Sequence, residues 1–531
     1  MGLVIVPLQL SYFGTESFGL INVIVGAVGL TVLVEEGLRN SMVRELGAAH
    51  HSHDPQQFLA AYNSSVKLSV RIAAACALII AALWPIVAFV LNIRADLVRA
   101  AQLMLLAEGL NWIIFTLTSP ANNMFMVRER FLEDNLWLML RKANYLIAIG
   151  IVAIHPGMGD PVRAFEWYVV VAPVLGIMVQ ALATARIVLQ DRRLIPNLAL
   201  ATPEHQRALW GQYGHNFRVI TAYGFYELGP RFIINIFFGL IGNSIATLAF
   251  QIMSYMRQVS SGMNVGLDAV SARVSSGRST MSLTELTRHS TRLHAFSVMP
   301  CLAILIVMVE PLLRLWIGGK IENPDRHIPT IAFMGKIFLL QIVVRSISDA
   351  WIRILYGAGY IDRFSRTMLI GGSIAPVLTI AGLLAFRSEP WALYIPAVVL
   401  TIVYSIFHFV FLPRAVARVL NVRTAQVLRP IVRPIFAAAL ASPVLIAARL
   451  WITNWTVWHV LGVFAAYGVV YAVASWWIVL TPDERRRFGG AIFRRASRLT
   501  GVQAASHPAP GSQVSAAQRE LRLEADEVIN P

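Results

Sequence analysis

Residues Ala73–Val90 read AAACALIIAALWPIVAFV, a run with no charged side chain. About 20 apolar residues at 1.5 Å rise per residue match the ~30 Å hydrocarbon core of a bilayer, so this run reads as a membrane-crossing helix. Similar runs recur about fourteen times, for example Val169–Val188, Cys301–Val309 with its flanks, Thr367–Phe386 and Val457–Leu480. The chain has 531 residues, of which 56% are hydrophobic and 14% charged. Soluble domains carry about 25% charged residues. Length alone would suggest several soluble domains, but the unbroken recurrence of apolar runs argues for one integral helical bundle. A β-barrel is excluded as a reading, because its strands alternate in hydrophobicity and these runs do not.

The predicted spans are 1–13, 17–35, 67–90, 98–118, 134–154, 166–189, 216–238, 244–262, 291–312, 329–355, 367–386, 391–411, 431–451 and 457–480. The formal net charge is +16, and the charge lies between the spans. The positive-inside rule therefore replaces nucleic acid as the reading of this excess. Alternate loops differ. One set carries Arg39 and Arg44, Arg128 and Arg130, Arg192 and Arg193, Arg273 and Arg278, Arg363 and Arg366, and Arg414, Arg418 and Arg423. The other set is short and poor in cations, except for Arg314, Lys320 and Arg326 after the ninth span. The basic set is expected in the cytoplasm, with the C-terminus. No cleavable signal peptide is visible, and the short first span suggests a late start codon or a truncated helix. Cys76 and Cys301 both fall inside spans and read as small core residues, not as a disulfide or metal framework.

A repeat organises the chain. Phe13-Gly14 is followed by a span and then by Gly37-Leu38 and Arg44; Phe238-Gly239 is followed by a span and then by Gly266-Leu267 and Arg273. The offsets are 225 and 229 residues, and both copies run in the same direction across the membrane. Such a parallel repeat relates two halves by an axis along the membrane normal. The expected fold is an all-α integral membrane protein of about 14 transmembrane helices. It has two pseudo-symmetric six-helix lobes, 1–190 and 191–411, then two extra helices in 412–480. After Pro482, ERRRFGGAIFRRASR reads either as a basic amphipathic stretch on the membrane surface or as a plain stop-transfer flank. The composition of 501–531 predicts disorder.

Charges within spans usually face a cavity or a partner. Glu36, Asn40 and Arg44 share one helix stripe, and Lys67 and Arg71 lie one turn apart at the entry to the third span. Interfacial snorkelling would explain Arg44, Lys67 and Arg71. Glu227 and Arg231 are spaced i, i+4, and Arg345, Asp349 and Arg353 form a ladder, so both sets could neutralise themselves. Arg141 and Lys142 point about 100° apart on their helix and cannot easily share one small partner. A hydrated, electropositive cavity for phosphate or pyrophosphate would accommodate them. The candidate substrate-binding residues are Arg44, Arg141, Lys142, Arg231, Arg257 and Arg273. Glu227 and Asp349 are the candidates for ion coupling. No catalytic residue, metal site or cofactor is expected: GxxxxGK[ST], HExxH, CxxC and GxSxG motifs are missing. His50, His51 and His53 read as a solvated loop rather than a metal cluster.

PLQLSYFGTESFGLINVIVGAVGL (7–30), EEGLRNSMVREL (35–46), EPLLRLWIGGKI (310–321) and LYGAGYIDRFSR (355–366) resemble segments of Wzx-type polysaccharide-unit flippases. The resemblance extends over roughly 1–480 and rests on hydropathy and glycine patterns. That family belongs to the multidrug/oligosaccharidyl-lipid/polysaccharide transporter superfamily. The resemblance implies twelve or fourteen helices in two lobes and a bacterial inner-membrane location. It also implies a polyprenyl-pyrophosphate-linked glycan as substrate, membrane lipids around it and polysaccharide assembly proteins as partners, with no nucleic acid. A cation-coupled multidrug exporter of the same superfamily is the alternative, and it would prefer an acidic cavity. A membrane glycosyltransferase or assembly scaffold is a third reading.

Overall fold

The computed structural model describes residues 2–52, 54–155, 160–227, 229–262, 267–275, 281–358 and 360–486. The first helices are α1 (Gly2–His51), α2 (Pro55–Val90), α3 (Val98–Val127), α4 (Phe131–Ile154) and α5 (Pro161–Gln190). Next come α6 (Pro203–Glu227), α7 (Gly229–Gly262), α8 (Leu267–Ser275), α9 (Leu283–Ile317), α10 (Pro324–Gly357) and α11 (Ile361–Phe386). Helix α12 (Ile395–Ser405) passes through a π-helical turn (Ile406–Phe411) into α13 (Leu412–Leu420), and α14 (Thr424–Ala441), α15 (Pro443–Trp451) and α16 (Val457–Ile478) close the series. Among the described residues, 11 helical segments are long and apolar enough to cross a membrane.

Local chemistry sets the helix ends. Asp54 precedes Pro55 and accepts from the backbone N–H of Gln56 at 2.9 Å, so it caps α2. Asp160 and Pro161 repeat that arrangement at α5. Ser282 and Glu285 form a capping box at α9. Asn421, in the left-handed region, ends α13. Helices outrun the predicted spans, as at α2 and α9, because their capped first turns are polar and lie outside any apolar window.

The repeat markers are turning points. Gly14 has φ 79° and Gly239 φ 65°, conformations that only glycine adopts without strain. Arg231 lies eight residues before Gly239 and Phe250 eleven after it, yet the Arg231 guanidinium sits 5.5 Å from the Phe250 ring. The chain therefore folds back at Gly239. Beside Gly14, the Phe13 ring lies tilted against Phe165 and Tyr168 of α5, with centroids 5.5 and 4.8 Å away, and Gln9 Nε2 donates to Tyr168 Oη at 2.7 Å. The paired spans 1–13 and 17–35 lie within α1. The pair 216–238 and 244–262 runs from α6 through α7.

The two turns cross each other. Ser244 Oγ donates to the Thr15 carbonyl at 2.6 Å, and Asn243 Nδ2 to the Gly19 carbonyl at 2.9 Å. A Cβ on Gly19 would lie 2.3 Å from the Leu240 carbonyl oxygen. Thr15 and Leu240 differ by 225 positions, and so do Gly19 and Ser244. The contacts 15–244 and 19–240 are therefore reciprocal, as a two-fold relation between the repeats requires.

The core of α1 to α5 divides into two apolar clusters. Leu20, Ile24, Leu105 and Phe165 belong to one, and Leu38, Tyr62, Met124 and Ile187 to the other. Helix α6 packs against both α1 and α11, and α14 packs on α9 and α16. Large apolar side chains such as Phe89, Leu132 and Trp451 stand exposed, the surface expected of a protein solvated by lipid. Residues 1–478 form one compact unit. In the unit that begins at Val479, Thr481 and Glu484 form a reciprocal cap; most of the basic stretch after Pro482 lies outside the described residues.

Candidate functional site

A buried carboxylate anchors the polar interior of α3 to α5. Glu108 lies in α3 and is 2% exposed. It accepts from Tyr145 Oη at 2.7 Å and from Asn111 Nδ2 at 3.3 Å. Burial of an ionisable group at membrane depth is costly and marks a functional position. Arg141 stands one turn before Tyr145 on α4 and acts electrostatically on Glu108. Its guanidinium lies 3.8 Å from the Phe115 ring centroid and 5.7 Å from that of Trp112. A cation over aromatic faces keeps its charge with less water than it would otherwise need.

A polar seam continues from Arg141. Gln180 Nε2 donates to Thr118 Oγ1 at 2.9 Å, and Asn122 Nδ2 to Thr184 Oγ1 at 3.0 Å. Arg141, Asn122 and Gln180 line one cavity with Arg39 and Asp134, which are joined by a 2.8 Å ion pair. Past the end of α5, Arg128 and Arg193 both hold Asp191. The Arg193 guanidinium, its backbone N–H and Arg128 lower the Asp191 carboxyl from 3.8 to about 2.

The second half has its own polar node. His408, fully buried in the π-helical turn, bonds Ser348 Oγ through Nδ1 at 2.5 Å and stacks on Tyr404 with centroids 3.9 Å apart. Arg345, buried, faces the same Tyr404 ring at 5.9 Å. π-turns inside helices occur disproportionately at functional sites. One turn further along α10, Asp349 acts electrostatically on buried His294 of α9. Two members of the ladder thus also face groups on neighbouring helices, which helical spacing alone does not reveal.

The expected site residues are spread across this frame. Arg141 lies in the cavity and near Glu108, whereas Lys142 is exposed on the face that also shows Met139 and Leu146. The structure therefore separates this pair. Arg231 is half-buried over Phe250 and against Gly26, and Arg257 is half-buried in α7. Arg44 and Arg273 are exposed near the far ends of α1 and α8. The side chains of Glu36, Asn40 and Glu227, and the whole of Arg278, lie outside the described residues. No cluster of three or more metal-ligating side chains occurs among the described residues. Sequence reasoning missed Glu108, His294 and His408. Glu108 was visible as the one carboxylate inside the predicted span 98–118, and His408 as the one histidine inside 391–411.

No protein-family model and no curated protein matches the sequence. Solved structures do match it. Lipid II flippase MurJ in an inward closed conformation superposes with a TM-score of 0.66 at 14% identity, over 89% of this chain and 95% of that one. An inward-facing multidrug resistance MATE transporter of the MOP superfamily gives 0.65 at 13% identity, over 79% and 95%. A MOP superfamily transporter from Pyrococcus furiosus, described as having a binding pocket of reverse polarity, gives 0.53 at 12% identity, over 79% and 96%. The chain thus has the all-helical membrane fold of MOP superfamily transporters.

Proposed function

We propose that this protein carries a lipid-linked oligosaccharide, or a related polysaccharide precursor, across a bacterial inner membrane by alternating access. It is a transporter and not an enzyme. The observation that carries the reading is the crossing of the Gly14 and Gly239 turns. Two repeats meet reciprocally at one end of the bundle, with the polar interior of Glu108 and Arg141 beyond them. A contact of this kind can open while the opposite end closes. The lobes are 1–190 and 191–411. The likeness to a lipid II flippase, over 89% of this chain, supports a lipid-linked substrate.

In this reading Arg141, Arg231 and Arg257 offer cations to a pyrophosphate, and Arg44 and Arg273 receive it at the cytoplasmic end, while Lys142, exposed on the other face of α4, is not on the path. Glu227 and Asp349 remain ion-coupling candidates, and Glu108 joins them. Burial of Glu108 also favours a second reading, a cation-coupled exporter of cationic drugs. Glycan export in cells separates the two. A triple Arg141→Gln, Arg231→Gln and Arg257→Gln variant, present at normal levels, should lose export. Normal export by that variant would remove the anionic-path reading and leave the drug exporter.

A further inference from the structure

Helices α10, α11 and α13 enclose a cavity of about 450 Å³ that none of the transport residues above lines. It lies at the end of the bundle that carries the basic loops. Its lining is graded. Phe407, Phe411, Arg414 and Arg418 recur every three or four residues along the π-helical turn and α13, so they stand in one row. The deep half of the row is aromatic and the half nearest the helix end is cationic. The facing helix repeats the order, with Arg366 and then Met368. Arg366, Arg414 and Arg418 are exposed, and none makes an ion pair among the described residues.

Ordinary snorkelling arginines need no cavity; they lie along the helix surface and reach for the interface. Here three of them converge on one preformed space with an apolar floor. Three cations at the mouth call for an anion, and the aromatic floor calls for a hydrocarbon chain. A free phosphate would leave the floor empty, and an uncharged lipid would leave the arginines unanswered.

We infer that this cavity is a binding site for an anionic, phosphate-headed glycerolipid of the surrounding membrane. The phosphate sits among Arg366, Arg414 and Arg418, and an acyl chain runs along Phe411 and Phe407. Basic pockets between transmembrane helices hold lipid head groups in this way. The inference does not depend on the transported substrate, because the cavity shares no residue with the proposed path.

The test is native mass spectrometry of the full-length protein from mixed micelles, counting retained phosphatidylglycerol against phosphatidylcholine with the same chains. Wild type should retain phosphatidylglycerol preferentially. The Arg366→Gln, Arg414→Gln, Arg418→Gln triple variant should lose roughly tenfold or more of it. Ala415→Trp fills the cavity, leaves all three cations and should lose it equally. Arg423→Gln with Arg429→Gln removes two exposed cations outside the cavity and should change nothing. Should the triple variant fail to fold, Ala415→Trp and Arg414→Gln alone decide. Unchanged retention in Ala415→Trp, equal loss in the Arg423 and Arg429 control, or equal binding of soluble glycerol phosphate would each overturn the assignment.

Discussion

At the scale of single residues, the consequences of burial can be read bond by bond. Glu108→Ala strands the Tyr145 hydroxyl and the Asn111 amide in the interior. An unsatisfied buried group costs roughly 1–3 kcal/mol, so this variant should unfold at a clearly lower temperature in detergent. Glu108→Gln keeps an acceptor for Tyr145 and should stay much closer to wild type. If Glu108 couples transport to an ion, Glu108→Gln should also lose the dependence of export on external pH. Equal stability of Glu108→Ala and wild type would show that the bonds to Tyr145 and Asn111 do not matter. Asp191 gives a second case, with a sign fixed by electrostatics. Its carboxyl is lowered from 3.8 to about 2 by Arg193 and Arg128, so the folded state favours its charged form. That stability is fully present above pH 3.8 and is lost as the pH falls through about 2. Asp191→Asn should therefore be less stable than wild type at pH 7, and the gap should begin to close below pH 4 in thermal unfolding. A gap that is constant down to pH 3 would assign the effect to helix capping alone.

At the scale of elements, hydropathy located the helices, and the Phe-Gly pairs located two turns. The sequence could not show that those turns cross. That depends on two backbones approaching at Gly19 and Leu240, a contact 221 positions apart with no hydropathy signal. The same limit explains the site. Arg141 was visible because a cation inside an apolar run is conspicuous, but Lys142 beside it points elsewhere, and adjacency cannot say which one meets the interior. The spacing of Arg345, Asp349 and Arg353 suggests mutual neutralisation, but it cannot show that Arg345 also faces Tyr404 and that Asp349 acts on His294, both on other helices. The crossing gives the element-scale prediction. Gly19→Ala places a methyl 2.3 Å from the Leu240 carbonyl and 2.6 Å from Ser244 Oγ. Both contacts are too short, and overpacking of this kind costs about 1–3 kcal/mol, so α1 and α7 must part. A Ser244→Cys probe should react faster with a maleimide in the Gly19→Ala background in detergent. Unchanged reactivity in a folded protein would mean that the seam absorbs the methyl without opening.

At the scale of the whole molecule, the seam decides whether the bundle is a static scaffold or a moving carrier. Thr15 and Ser244 are joined by a 2.6 Å hydrogen bond across the two repeats, close enough for engineered cysteines to be tested for a disulfide. Cys76 and Cys301, the two cysteines of the chain, are first replaced by serine or alanine. In a carrier that alternates access, the Thr15→Cys, Ser244→Cys protein should export glycan when reduced and stop when oxidised, and reductant should restore it. Locking one end closed removes half of the cycle, so the expected loss is complete in proportion to the fraction cross-linked. A scaffold that never opens here would work equally well in both redox states. The single-cysteine variants separate the cross-link from the effect of oxidant on other residues. Continued export by fully cross-linked protein would rule out opening at this seam, and with it the alternating-access mechanism drawn from the crossing of Gly14 and Gly239.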